Sequence, residues 1–203
     1  MTVPGKKGEG TPVDRDEEPF KVDLSRIASL RPAFQKDGTV TAGNASKIND
    51  GAAALVLTTA AHAAAVGKKP LARIVAHASL AQKPEWFTTA PAGAVKVVLE
   101  RAGMKAADID LWEVNEAFAV VALAFIRDLG LDPERVNVRG GAVALGHPIG
   151  SSGARILVTL LHALRERGAR TGCAAICIGG GEATAMIVER LGAEASAPGS
   201  NQV

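Results

Sequence analysis

From residue 51 onward, apolar positions recur with two periods, and the alternation between them sets out the elements. AALVL (Ala53–Leu57) is a short apolar run that reads as a buried strand. Thr59–Val66 reads as a helix stopped by Gly67. In Leu71–Leu80, Ala72, Ile74, Ala76 and Ala78 alternate with Arg73, Val75, His77 and Ser79, the period of a strand. Pro91 suits a first helical turn, and the helix it opens runs to Gly103. Ile109–Val114 is predicted as a strand, Asn115–Leu129 as a helix closed by Gly130, and Val136–Gly140 as a short strand. A helix over Ser151–Arg167 follows a glycine-dense loop. Cys173–Ile178 and Ala183–Leu191 are two strands joined by GGGE, like a hairpin. Upstream, a short helix near Leu24–Leu30 ends at Arg31-Pro32, and the first twenty residues are rich in Gly, Pro and charge.

Strands and helices in this order predict an α/β fold with helices covering a sheet. Ala117–Ile126 is apolar on every side, so its helix is expected to be buried all round, between sheets. Half of that cover would then come from material outside this chain.

Composition narrows the class. The chain has 203 residues, enough for one substantial core or two small ones. It is 47% hydrophobic and 22% charged, as expected of a globular domain, while aromatics are only 3%, so the core rests on aliphatic residues and alanine. A formal charge of +2 supplies no field for nucleic acid or anionic membrane, and neither is expected as a partner. On a strand, Cys173 and Cys177 would stand roughly 13 Å apart, beyond the about 7 Å a disulfide allows. Two free thiols and an N-terminus without signal-peptide character point to a cytoplasmic protein.

Candidate chemistry lies in three loops that follow strands. Gly140–Ile156 reads GGAVALGHPIGSSGARI. Pro148 holds His147 out of helical geometry, and flanking glycines leave the backbone approachable. The helix that follows turns its positive end toward the ring and disfavours the imidazolium. His147 is therefore either a base or a ring filling a tight corner. Cys177 precedes Gly179, Gly180 and Gly181, whose amides can form an anion-binding concavity, although a buried cysteine also packs as a small hydrophobe. Asn115 is either a helix N-cap or an amide facing a cleft. His162 shares a helix stripe with Arg155, Thr159 and Glu166 and reads as solvated. Converging strand ends could hold a base, a thiol and an oxyanion pocket, an acyl-transfer arrangement. No metal-ligand spacing is present, and Gly146-x-x-x-Gly150-x-x-Gly153 departs from the dinucleotide fingerprint.

Gly38–Ala54 (GTVTAGNASKINDGAAA), Asn115–Ala119 (NEAFA), Gly140–Arg155 and Cys177–Gly181 (CIGGG) closely resemble the C-terminal half of thiolases, in the same order, over roughly residues 12 to 191. The resemblance implies a thiolase-like layered fold, one β-α-β-α-β-α-β-β half with buried helices. It divides the chain into 1–40, a remnant of the CoA-binding loop region and linker, 41–192, the C-terminal domain, and 193–203, a flexible tail. The implied activity is condensation or thiolysis of short 3-ketoacyl-CoA of the acetyl-CoA acetyltransferase type, with coenzyme A as substrate or product and no resident cofactor. By the resemblance, His147 activates the nucleophile and contributes to an oxyanion hole. Cys177 moves the α-carbon proton, Asn115 holds the water of the first oxyanion hole, and the Gly179 amide belongs to the second. Phe34, Ala42, Ser46, Ala117 and Phe118 would line the pantetheine channel, and Phe87 would shape the acyl pocket.

In thiolases the acylated cysteine belongs to the N-terminal half, and neither Cys173 nor Cys177 occupies its motif. The chain is thus expected to be inactive alone, to need an N-terminal half that supplies that cysteine, and to form a homo-oligomer. Lys47 replaces a glycine usual in AGNASGIND. The alternatives are a non-catalytic CoA-binding or acyl-CoA-binding module and a structural half, both derived from a thiolase.

Overall fold

The computed structural model describes residues 2–5, 8–15, 20 and 23–192. The tail expected at 193–203 lies outside them. The strands β1 (Thr2–Pro4) and β2 (Gly10–Pro12) form an exposed antiparallel ribbon. The main sheet contains β3 (Ala72–Ala81), β4 (Leu111–Val114), β5 (Thr171–Cys177) and β6 (Glu182–Arg190), in the spatial order β3-β6-β5-β4. β4 and β5 run parallel and the other pairs antiparallel. The hairpin read from GGGE is present as β5–β6, in register from Thr171–Glu189 to Cys177–Ala183.

Helices cover both faces. On one, α2 (Ala90–Ala102) and α3 (Ala119–Leu129) pack over Trp112, Val114, Cys173 and Ala175. Trp112 and Phe125 meet edge to face, with centroids 5.9 Å apart. On the other face, α5 (Ser152–Glu166) lays Ile156, Leu160, Ala163 and Leu164 over Leu111, Ala174 and Val188. The spacing i, i+4, i+7, i+8 is the apolar stripe of a helix seated on a sheet. Gly172 is needed beneath it, because a Cβ there would meet Leu160 Cδ1 at 2.8 Å. Gly103 and Gly130, both left-handed at φ near 64°, end α2 and α3 where the sequence placed the stops.

Three expectations are corrected. Ala53–Leu57 pairs with no described strand, and Val56 and Leu57 are 95% and 74% exposed. The run precedes α1 (Ala60–Ala65) without joining the sheet. Val136–Gly140 is not a strand: Val136 makes a single bridge to Trp112, and Asn137 then turns the chain at φ 47°. The Asn137 carboxamide takes the place of a neighbouring strand, accepting from Val114 N at 2.8 Å and donating to Val114 O at 3.0 Å. Finally, α3 is shorter than expected, while its burial on one face leaves open the half whose cover was expected from outside this chain. It buries Val121, Ala122, Ala124 and Phe125 and turns Val120 and Leu123 outward, Leu123 being 65% exposed. Among the described residues its cover comes from the sheet, α2 and the Pro84–Thr89 turn. It also begins at Ala119, after an extended approach through residues 115–118, so Asn115 is not its N-cap.

Candidate active site

Asn115 follows the last residue of β4, and its N–H donates to Ala175 O of the parallel strand β5 at 2.9 Å. Because β4 and β5 run in the same direction, their carboxyl ends open on one side, with Asn115 on one strand end and Cys177 on the other. Residues alternate across the sheet, so Glu113 and Asn115 face α5 while Trp112 and Val114 face α2 and α3. Asn115 is fully buried.

His147 reaches the same place from the loop between α4 (Ala142–Leu145) and α5. Two chain segments hold that loop. Its backbone N–H donates to Lys47 O at 2.7 Å, and Ser46 N donates to Ala117 O at 3.0 Å, so residues 44–47 lie between the 117–119 stretch and the histidine. The Glu116 carboxylate accepts from Val143 N at 3.1 Å. Gly141 allows that approach, since a Cβ there would overlap the Glu116 side chain.

The hydrogen bonds fix the tautomer of His147. Pro148 O can only accept, and Ser152 Oγ lies 3.1 Å from it, so the serine proton is spent on that carbonyl. Ser152 Oγ is then the acceptor for His147 Nδ1, 2.6 Å away, and the ring proton sits on Nδ1. This leaves the lone pair on Nε2, facing the Asn115 carboxamide nitrogen at 3.2 Å. Burial lowers the His147 pKa, and the Arg155 cation lowers it further, so the ring is neutral at neutral pH. A neutral imidazole with Nε2 unprotonated is equipped to take a proton at that atom.

Cys177 ends β5 and is buried, and burial raises its thiol pKa. Cys173 is more deeply buried, with its thiol pushed higher by desolvation. Both are free. Past Cys177, Gly179 and Gly180 are exposed in the turn closed by Gly181 N donating to Ile178 O at 3.0 Å. Gly181, at φ +100°, is required there, because a Cβ would overlap the Gln82 carbonyl.

Beside the polar groups lies an aromatic wall. Phe118 meets Phe34 at 5.9 Å and Phe87 at 6.2 Å, both edge to face. Ala45 bridges Phe118, which ties the Ser46 segment to the same wall. Ala42 is exposed in the turn that Asn44 N closes on Thr41 O. Residues 1–61 match the family model "Thiolase, N-terminal domain", and residues 68–190 match "Thiolase, C-terminal domain".

The chain belongs to the thiolase family.

It is similar to the "Probable acetyl-CoA acetyltransferase" of Dictyostelium discoideum, 52% identical over 94% of this chain and 46% of that protein. It is also similar to the mitochondrial acetyl-CoA acetyltransferase of Bos taurus, 55% identical over 94% of this chain and 44% of the other. Among solved structures, the Bacillus anthracis acetyl-CoA acetyltransferase superposes with a TM-score of 0.85 at 44% identity, over 94% of this chain and 48% of that one. The Acat5 thiolase from Ascaris suum, solved in complex with coenzyme A, gives 0.83 at 52% identity, over 88% and 47%. This thiolase chain spans about half the length of the relatives it matches. The layered α/β architecture expected from the motifs is therefore that of its structural neighbours.

Three residues around the site were not read from the sequence. Ser152 directs the His147 tautomer. Arg155, assigned by its spacing to a solvated stripe, has Nε and Nη1 buried without hydrogen-bond partners. Glu113, in a run read only as strand, is 1% exposed, and burial raises its pKa to about 8 against the lowering field of Arg155. A glutamate inside an otherwise apolar strand was the available signal, because an unpaired buried carboxyl is rarely structural alone. Among the described residues there is no cluster suited to a metal ion, and no helix is long and apolar enough to cross a membrane.

Proposed function

We propose that this chain is the C-terminal part of an acetyl-CoA C-acetyltransferase, acting on short 3-ketoacyl-CoA together with an N-terminal segment that carries the nucleophilic cysteine. The observation that carries the reading is the neutral His147 with its Nε2 lone pair turned toward Asn115 at the carboxyl ends of β4 and β5. In thiolysis, the segment's cysteine thiolate attacks the ketone carbon of the 3-ketoacyl-CoA, and the bond between that carbon and the α-carbon breaks. The acyl group stays on sulfur, and the electron pair leaves on the α-carbon of the departing acetyl-CoA. His147 takes the nucleophile's proton at Nε2, and Cys177 delivers a proton to the α-carbon. Free CoA then gives its thiol proton to the Cys177 thiolate and attacks the acyl-cysteine; the acyl group leaves on the CoA sulfur, and the released cysteine thiolate recovers its proton from His147. Oxyanions formed along the way face Asn115 and His147 on one side and the Gly179 amide on the other. Phe34 and Phe118, with Ser46, Ala42 and Ala117, border the pantetheine arm, and Phe87, against Phe118, shapes the acyl pocket. CoA enters as a substrate, not a resident cofactor. The same reading carries a homo-oligomer and a cytoplasmic setting.

Acetoacetyl-CoA thiolysis, followed by loss of the 3-keto absorbance, tests the proposal. The isolated chain is expected to show no turnover and a mixture with the N-terminal segment to restore it. His147→Ala or Cys177→Ala in the complemented enzyme should lower kcat by at least about a hundredfold while CoA binding is kept. Turnover by the isolated chain, or none from a folded complex, overturns it. CoA binding without turnover would instead mark an acyl-CoA-binding module.

A further inference from the structure

Arg155 lies on the face of α5 that meets β4, and the reaction assigned above gives it no role. Its Nε and Nη1 are buried and have no hydrogen-bond partner. Among the described residues no carboxylate forms an ion pair with it. Glu113, the nearest buried carboxyl across from it, also leaves Oε1 unpartnered. Among the described residues, the guanidinium approaches Asn115 Oδ1, 3.5 Å from Nη2. At that length the contact acts mainly as a charge on a dipole. A cation held beside a carboxamide draws the oxygen toward itself and turns the NH2 group away.

We propose that Arg155 is a positioning residue: its cation fixes the Asn115 carboxamide with Oδ1 toward α5 and Nδ2 toward His147, so that the amide donates to the imidazole and holds Nε2 free of a proton. This rests on the same site as the functional reading and adds what keeps that site in its working tautomer. The geometry makes the argument directional. Arginine has donors only, so Asn115 must present oxygen to it. The remaining nitrogen then lies 3.2 Å from His147 Nε2, and an N–H pointed there excludes a second N–H on the ring. Ser152 works from the other side at Nδ1. The imidazole is therefore clamped at both nitrogens, and the half that faces the reaction depends on a residue that never touches the substrate.

The charged and titratable groups around this clamp, among the described residues, include Arg155 on α5, Glu113 on β4, Glu116 just beyond it, whose carboxylate is engaged by Val143 N, and Arg139, whose cation also acts on Glu113. Removing the Arg155 cation withdraws a charge that opposes the imidazolium. The His147 pKa should consequently rise in any variant without that charge.

The test is nitrogen NMR of the full chain, reading the two imidazole nitrogens of His147, assigned by comparison with His147→Gln. The wild-type ring is expected in the Nδ1–H form. Arg155→Met, which keeps the bulk and removes the charge, should lower the ratio of Nδ1–H to Nε2–H about fivefold, the factor that one ordinary hydrogen bond makes, and raise the His147 pKa. Arg155→Lys should restore the wild-type tautomer, because the orienting agent is the charge. Asn115→Ala should reproduce the tautomer loss, and Arg155→Met added to it should change the ratio no further. An unchanged tautomer in folded Arg155→Met overturns the proposal. So does an unchanged tautomer in Asn115→Ala, which decides the matter where Arg155→Met does not fold. These readings need no turnover, so the positioning role can fail while the enzyme assignment stands, or survive its failure.

Discussion

At the residue scale, the sequence singled out a histidine, a cysteine and an asparagine, and the structure brings the histidine and the asparagine together at 3.2 Å. Glu113 was legible as a lone carboxyl in an apolar strand, but its neighbour was not, because Arg155 lies forty-two positions away and reaches it only through the packing of α5 on β4. Glu113 yields a pH prediction with a definite sign. Desolvation raises its pKa from 4.5 to about 8. Between those values the folded chain holds a proton that the unfolded chain has released, so stability falls as pH rises through that window and levels off above it. Glu113→Gln lacks this penalty. Urea unfolding at pH 5 and pH 8 should show the variant gaining on the wild type by a few kcal/mol as pH increases. A gap that stays constant would mean that Glu113 is already ionised in the folded chain at pH 5.

At the element scale, local chemistry marked most boundaries. Pro91 and Gly103 bracket α2, Gly130 ends α3, and the glycine turn joins β5 to β6. These signals act over a few residues and survive any context. The failures occurred where a distant partner decides the outcome. Val136–Gly140 has strand composition, but the Asn137 side chain takes up the backbone groups of Val114 that another strand would have used. The all-apolar α3 differs in kind: its composition asks for cover on every side, and this chain supplies the cover of one face. The contrast is measurable. Phe125, fully buried against Trp112, should cost about 3–5 kcal/mol on truncation to alanine. Leu123→Ala, on the outward face, should stay within about 0.5 kcal/mol. Equal losses in denaturant melts would mean that α3 is covered on both faces in solution.

At the scale of the whole molecule, the distribution of exposed apolar residues indicates which part of this thiolase chain lacks a neighbour. The four-stranded sheet has both faces covered by helices, each over its own buried cluster. By contrast, Ala53–Leu57 falls within the stretch that matches the N-terminal domain of the family, has strand composition, and pairs with no described strand. Val56 at 95% exposure and Leu57 at 74% leave the hydrophobic gain of that sequence unrealised. An apolar segment with free backbone groups is suited to pair with another strand, and the proposed N-terminal segment is the partner the functional reading already requires. Hydrogen exchange should therefore find the amides of residues 53–57 unprotected in the isolated chain, while β5 and β6 exchange slowly. Adding the N-terminal segment should slow exchange at 53–57 along with the appearance of turnover. Turnover returning while these amides still exchange freely would mean that the two pieces join elsewhere. Protection already present in the isolated chain would mean that the run finds its partner within this polypeptide or a second copy of it.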